Sequence, residues 1–295
     1  MPWLKVQLQA NKSSVGSLTE TLEKVGALAV SVEDAETQPI LEDDAQEPRF
    51  WRHNRVTGLF QSDADIPAIV EQIERRSGPA LVYRVETLQD QRWETVWRER
   101  CQPLCFGRRL WVCPAGVKPP SAHATAVFID PGLAFGTGSH ATTAQCLEWI
   151  AHHNCSGKTV IDYGCGSGIL AIAALKRGAN FAWGIDNDPR ALKVSQENAT
   201  RNQVAQRYLA LAPQSLASGL TADIVLANLF ARPLIELAPR LIGLVRRKGF
   251  LLVTGLLAEQ VELVSSHYAR DLAIRAHFRE ADGHCWALLV GWKQG

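Results

Sequence analysis

The chain has 295 residues, 46% of them hydrophobic, with 31 Lys and Arg set against 30 Asp and Glu. That length suits one large or two ordinary domains, and no stretch reaches the ~20 apolar residues of a membrane-spanning helix, so no membrane partner is expected. Seven cysteines, odd in number and without a C-x-x-C pair, argue against a disulfide framework and a structural zinc site. No metal is therefore expected, and a reducing cytoplasm is the simplest compartment.

The balance of charge hides an asymmetry. Residues 1–65 hold six Lys/Arg against eleven Asp/Glu, a net of −5, and the remainder holds 25 against 19, a net of +6. Such a front end is either plain solvated surface or a face for a basic partner. No Lys/Arg tract is interleaved with aromatics, so direct nucleic-acid binding is not expected.

Over the first ninety residues the pattern alternates strands with helices. Residues 2–10 alternate apolar and polar. Ser13 and Ser14 precede a helix marked by Leu18, Leu22 and Val25 and closed by Gly26, and 27–32 forms a second strand. An acidic loop over 33–47 leads to a third strand at 50–60, a helix from Asp65 to about Arg76 and a fourth strand at 80–88. The order βαββαβ predicts a small ferredoxin-like domain over 1–88. It carries no Cys/His/acid cluster with ligand spacing, which points to recognition rather than chemistry. Residues 89–110 read as a connector with a short amphipathic helix around Trp93 and Trp97, ended by Pro103.

From 111 onward a second domain follows, with strands at 110–113 and 126–129. Residues 130–143 are dense in glycine, small hydroxyl residues and one histidine, and run into a helix at 144–151 that Thr142 or Thr143 is expected to cap. Such a loop suits a place over a ligand crevice. Next comes the most loaded stretch. A short strand ends in Asp162, three glycines follow at 164, 166 and 168, and a helix of strong formers runs from 169 to 175. Strand, glycine turn and helix open a βα nucleotide-binding unit.

Dinucleotide oxidoreductases want G-x-G-x-x-G with a pyrophosphate on the helix N-terminus, and a tight structural turn is the plain alternative. The G-x-G-x-G spacing behind an acidic residue instead resembles the first motif of the class I S-adenosylmethionine methyltransferases. Their ligand needs close backbone approach and a carboxylate near its amino group. Asp186 ends the following strand, 22 residues beyond Gly164, where an acidic side chain is placed for ribose hydroxyls. Asp188 and Pro189 then start a helix as N-cap and first residue.

The alternation continues through helix 189–200, strands 208–211 and 223–227, helix 232–246, strand 250–254, helix 258–268 and strands 272–278 and 285–292. The last two are joined by a turn with Asp282-Gly283 and read as a hairpin. A doubly wound sheet with an antiparallel edge strand results: an α/β, Rossmann-like domain over 111–295. Asn228 follows a buried strand into the crevice, where its amide can hold either an acceptor nitrogen or the cofactor, or merely cap a turn.

Residues 130–143, Gly164-Cys-Gly-Ser-Gly168, Gly184-Ile-Asp186 and Asn228-Leu-Phe-Ala-x-Pro-Leu234 together resemble the PrmA family. These are bacterial methyltransferases of the eleventh protein of the large ribosomal subunit. The likeness extends to Met1-Pro-Trp3, to Trp93 and Trp97, and to 106–114. It implies an N-terminal domain that grips the ribosomal protein, a mobile connector and S-adenosylmethionine as cofactor. It also implies repeated methylation of lysine side chains and the N-terminal amine; the enzyme is expected to be a monomer. The cofactor contacts it implies are Thr143, Gly164, Asp186 and Asn228, with Gly166 in the same turn. Two departures stand out: Phe230, where the family has a smaller aliphatic residue, and the aromatic-rich tail 286–292. For chemistry, His140 is the best available base or orienting group and Asn228 is placed to aim an amine lone pair. A small-molecule amine methyltransferase and a non-catalytic ribosome-binding factor remain as alternatives.

Overall fold

The computed structural model describes residues 3–35, 50–77, 82–88, 102–121, 124–129 and 138–294. The chain divides into two compact units, Met1–Val96 and Trp97–Gly295. The expected connector helix around Trp93, most of the acidic loop and most of the 130–143 loop lie outside the described residues, and Glu33 and Asp34 belong to a strand.

In the first unit β1 (Trp3–Asn11), α1 (Val15–Lys24), β2 (Ala29–Asp34), β3 (His53–Gln61), α2 (Ile66–Ser77) and β4 (Tyr83–Leu88) follow the expected order. The strands form an antiparallel sheet ordered β2-β3-β1-β4. Alternation does the folding here: Val6, Leu8 and Ala10 point to one face and pack with Leu18, Leu22, Val56, Phe60 and Ile73, while Lys5 and Gln7 point to the other. Ser14 stands at the N-cap of α1, but without a side-chain cap bond, and its own N–H is held by Asn11 Oδ1.

The second unit holds a seven-stranded sheet ordered β10-β9-β8-β11-β12-β14-β13. Its members are β8 (Thr159–Tyr163), β9 (Phe181–Ile185), β10 (Tyr208–Leu211), β11 (Ala222–Asn228), β12 (Val245–Leu257), β13 (Ala273–Ala281) and β14 (His284–Trp292). The first five run parallel, and β14 is antiparallel to both neighbours. The antiparallel strand therefore sits second from the end, with its hairpin partner β13 outermost. Asp282 and Gly283 make the turn with φ of 51° and 74°, the left-handed pair that a two-residue hairpin needs. From β8 the chain steps outward to β9 and β10, then returns to lay β11 and β12 on the other side. That reversal between β8 and β11 opens a crevice at the carboxyl ends of the strands.

Two helical layers cover the sheet. One face receives α3 (Ala141–His152), α4 (Ile169–Lys176) and α5 (Pro189–Arg201). The other receives α6 (Ala231–Glu236), α7 (Ala238–Leu244) and α8 (Val261–Ser266). Strand residues alternate between them, with Ile224 and Leu226 in the first core and Val225 and Ala227 in the second. Helix α4 is apolar and buried on every side from Ile169 to Leu175. A second, three-stranded sheet of β5 (Leu104–Phe106), β6 (Leu110–Pro114) and β7 (Thr125–Ile129) joins its core through Val112 and Val127. Buried Asn202 fixes β7 by exchanging two 2.7 Å hydrogen bonds with the backbone of Phe128.

Three expected helices change. The helix at 232–246 is two, α6 and α7, broken at Leu237 because Pro239 has no N–H to give Ile235 and its ring crowds that turn. The one at 258–268 shrinks to a 3-10 turn, Ala258–Gln260, and α8. The helix expected at 144–151 begins at Ala141, and its N-cap is His140 rather than Thr142 or Thr143, both of which lie inside its first turn. Tyr268 follows α8 fully buried and donates its hydroxyl to the Leu234 carbonyl at 2.5 Å. Tyr268→Phe is expected to lower stability by about 1 kcal/mol, read as a shifted denaturant midpoint at constant m-value.

Candidate functional site

A cavity of about 590 Å³ lies over the crevice. It runs across the strand tips from Asn228 at the end of β11, past the glycine turn after β8, to Asp186 and Asn187 after β9 and Pro213 after β10. Of the site residues expected from sequence, Thr143, Gly164, Gly166, Asp186 and Asn228 all line it.

The glycine turn is held from below. Gly164 and Cys165 both donate their N–H groups to the Ile185 carbonyl, at 2.7 and 3.0 Å. Gly164 has φ of 78°, and a Cβ there would lie 2.4 Å from Leu229 Cδ2. Gly255 makes the same allowance from the other side: with φ of 98°, its Cβ would fall 2.1 Å from the Leu229 carbonyl oxygen. Two glycines thus let the Asn228-Leu229 corner lie flat between β8 and β12. The role of Gly255 was not legible in the sequence, since nothing local marks it as the partner of a corner 26 residues away.

Asp186 does more than end its strand. Its Oδ2 accepts the Gly166 N–H at 2.9 Å and its Oδ1 the Asp188 N–H at 3.0 Å. The carboxylate ties the glycine turn to the next loop, and each oxygen keeps a lone pair for a ligand hydroxyl. Asp188 caps α5 as expected, accepting the Arg190 N–H at 2.8 Å.

Asp162 is the second carboxylate of the cavity, only 1% exposed. It accepts the Ala171 N–H at 3.1 Å, and among the described residues no cation pairs with it. Burial pushes its acid up to about 8, the Ala171 bond pulls it down, and Asp186 pushes it up again. A carboxyl in that condition is stabilised by an arriving cation. Cys165, also buried at the lining, is pushed up to about 12 by burial and stays a thiol.

Asn228 and Thr143, 85 residues apart, meet: the Asn228 amide donates to Thr143 Oγ1 at 3.3 Å. That contact turns the amide oxygen of Asn228 away from Thr143 and leaves it as an acceptor. His140 stands elsewhere. It caps α3, accepting the Thr142 N–H on Nδ1 at 3.4 Å with Thr142 Oγ1 at 2.8 Å from the same nitrogen. Its ring packs edge-on against Trp286 with centroids 4.8 Å apart. Burial lowers its pKa while Asp282 raises it, so the ring is neutral. With Nδ1 taken as acceptor, the proton of that neutral ring sits on Nε2.

The arrangement can hold an elongated ligand with sugar hydroxyls and a cationic head. The ribosomal protein L11 methyltransferase (PrmA) family model matches residues 2–293. The chain belongs to that family. The PrmA relative from Vibrio parahaemolyticus, a ribosomal protein L11 methyltransferase, is 44% identical over 298 residues, all of both chains. One from Pseudomonas putida is 44% identical over 275 residues, 93% of this chain and 94% of its own. Among solved structures, the ribosomal protein L11 methylase from Lactobacillus delbrueckii subsp. bulgaricus aligns with a TM-score of 0.58 at 27% identity. It covers 66% of this chain and 100% of its own. PrmA membership agrees with the glycine turn and the residues gathered around it. Arg240 and Tyr163, which also line the cavity, had no signal in the sequence, because α7 reaches the β8 tip only through the fold.

Proposed function

We propose that this chain transfers methyl groups from S-adenosylmethionine to amines of the eleventh protein of the large ribosomal subunit, at lysine side chains and the N-terminal amine. The observation that carries the reading is the cavity at the switch point, with a glycine cradle, two carboxylates and the Asn228–Thr143 pair. Family membership supplies the substrate class. The reading treats the enzyme as a cytoplasmic monomer without direct nucleic-acid contacts, whose N-terminal domain, 1–88, receives the substrate.

When bound, the cofactor supplies an activated methyl group on a sulfonium. The chain's residues do the rest. Asp186 would hold the ribose hydroxyls with its remaining lone pairs. Asp162, a buried carboxyl without a counter-ion among the described residues, would hold the ammonium. The Asn228 amide oxygen would accept an N–H of the incoming amine and direct its lone pair along the line of displacement. Alignment of this kind is worth roughly 7–11 kcal/mol. The amine must be neutral, and a free lysine titrates near ~10.4, so a dry cavity and the sulfonium charge favour loss of its proton to solvent.

His140 is then a positioning residue. With Nδ1 in the cap and a proton on Nε2, its neutral ring offers no free lone pair to an amine proton. Its part is to fix the first turn of α3, and with it Thr143. His140→Asn keeps a capping oxygen and is expected to retain turnover within about twofold. His140→Ala removes the cap, costs about 1 kcal/mol of stability and lowers turnover more than cofactor affinity. Equal large losses in both variants, with a changed pH profile, would restore the base role.

The test of the whole reading is to incubate the protein with methyl-labelled S-adenosylmethionine and the purified ribosomal protein, then locate the label. Label on lysine and α-amine nitrogens supports it. No transfer to the protein, or transfer to small amines alone, rejects it.

A further inference from the structure

We infer that Arg240 is the residue that recognises the nucleobase of the cofactor, by donating a hydrogen bond to a ring nitrogen of the purine. The inference rests on the cofactor reading above and deepens it. The cavity has a direction. Its β11 end holds the Asn228–Thr143 pair that meets the acceptor, so the methyl group lies there. The sugar is at Asp186, so the base lies beyond it, between Asn187 and Pro213 over the tips of β9 and β10.

Arg240 comes to that end from α7. Its guanidinium carbon lies 5.7 Å from the centre of the Tyr163 ring, and Nη2 donates to the Pro213 carbonyl. Both contacts hold the planar group in place before any ligand arrives, and they leave other N–H donors of the fork unused. Leu237, one turn earlier at the N-cap of α7, gives an apolar face beside it. Charge agrees with the placement. Arg240 is the one cation among the described residues that line the cavity, whereas Asp186, and Asp162 once a bound ammonium has driven off its proton, are its anions. A sulfonium and an ammonium favour the anions, and a cationic arginine is tolerated only at the far, uncharged end. A purine edge presents acceptor nitrogens there.

The experiment is calorimetric titration of the full chain with S-adenosylhomocysteine and its 1-deaza, 3-deaza and 7-deaza analogues. The wild-type protein should bind one analogue about tenfold more weakly, the loss of one hydrogen bond from a charged donor. Arg240→Met keeps the apolar stem and removes the donors. It should bind S-adenosylhomocysteine about tenfold more weakly and treat that analogue no differently from the parent. Arg240 is exposed, so its thermal midpoint should not move. Two results overturn the assignment: no discrimination by the wild type, or discrimination kept in Arg240→Met, whether or not its overall affinity falls. If the wild type binds none of the four compounds, the cofactor reading itself has failed, a different outcome from base recognition failing inside a working site.

Discussion

Gly164→Ala is expected to weaken cofactor binding by roughly a hundredfold while leaving the protein folded. Two costs add. A residue other than glycine at φ of 78° costs about 1–2 kcal/mol. The new Cβ also meets Leu229 Cδ2 at 2.4 Å, far inside contact distance. Leu229 cannot retreat toward β12, since Gly255 already touches its backbone with no room for even a methyl. The side chain must swing into the cavity it lines, where the ligand would lie. A turn that relaxes from this conformation in the free variant must be driven back on binding, and with the obstruction the cost is about 2–3 kcal/mol, or one and a half to two decades in affinity. Leu229→Ala on top of Gly164→Ala removes the obstruction but not the strain, so the pair should recover about tenfold. Calorimetry on the three variants checks this. A dissociation constant for Gly164→Ala within twofold of wild type would remove the turn from the site.

Much of this was readable along the chain because the signals are local. A glycine turn, a strand-final acid at the right spacing and an Asp-Pro helix start all lie within 30 residues of one another. Their backbone demands are written in residue type. The Asp-Gly hairpin was equally plain, and the alternation of residues 2–10 marked the first strand. What escaped notice depends on residues far apart. The break at Leu237 needed the weight of Pro239 against an otherwise apolar helical run. The small sheet β5-β6-β7 rests on a three-residue strand too short to carry a period of its own, joined to the main core by Val112 and Val127. His140 as a cap was missed because histidine is not a usual capping residue, and Thr142 and Thr143 beside it are better candidates by type. In the fold the ring packs edge-on against Trp286, a contact from 146 residues away that the local sequence does not carry.

Asp162 carries the second large prediction: cofactor affinity should climb with pH up to about 8, by as much as tenfold per unit, and then stop rising. In the free protein burial holds this carboxyl protonated until about 8. An ammonium beside it favours the ionised form, so binding below that pH must expel a proton, and mass action makes the affinity fall as pH falls. Above about 8 the carboxylate is already ionised and the gain ends. If the ammonium then loses its own proton, the affinity falls again on the alkaline side. Asp162→Asn should erase the acid limb and leave any alkaline limb in place. The same group gives a stability signature of known sign. Its folded pKa lies above the ordinary carboxylate value near 3.8, so its contribution to stability is fully present below that value and is lost as pH rises through about 8. Asp162→Asn should therefore lose less stability than wild type between pH 5 and 9, in the absence of cofactor. A flat affinity profile in the wild type, or an acid limb that survives the substitution, would show that the ammonium is held elsewhere. Calorimetry at each pH in buffers of different ionisation enthalpy counts the expelled proton directly and separates this linkage from a general loss of fold.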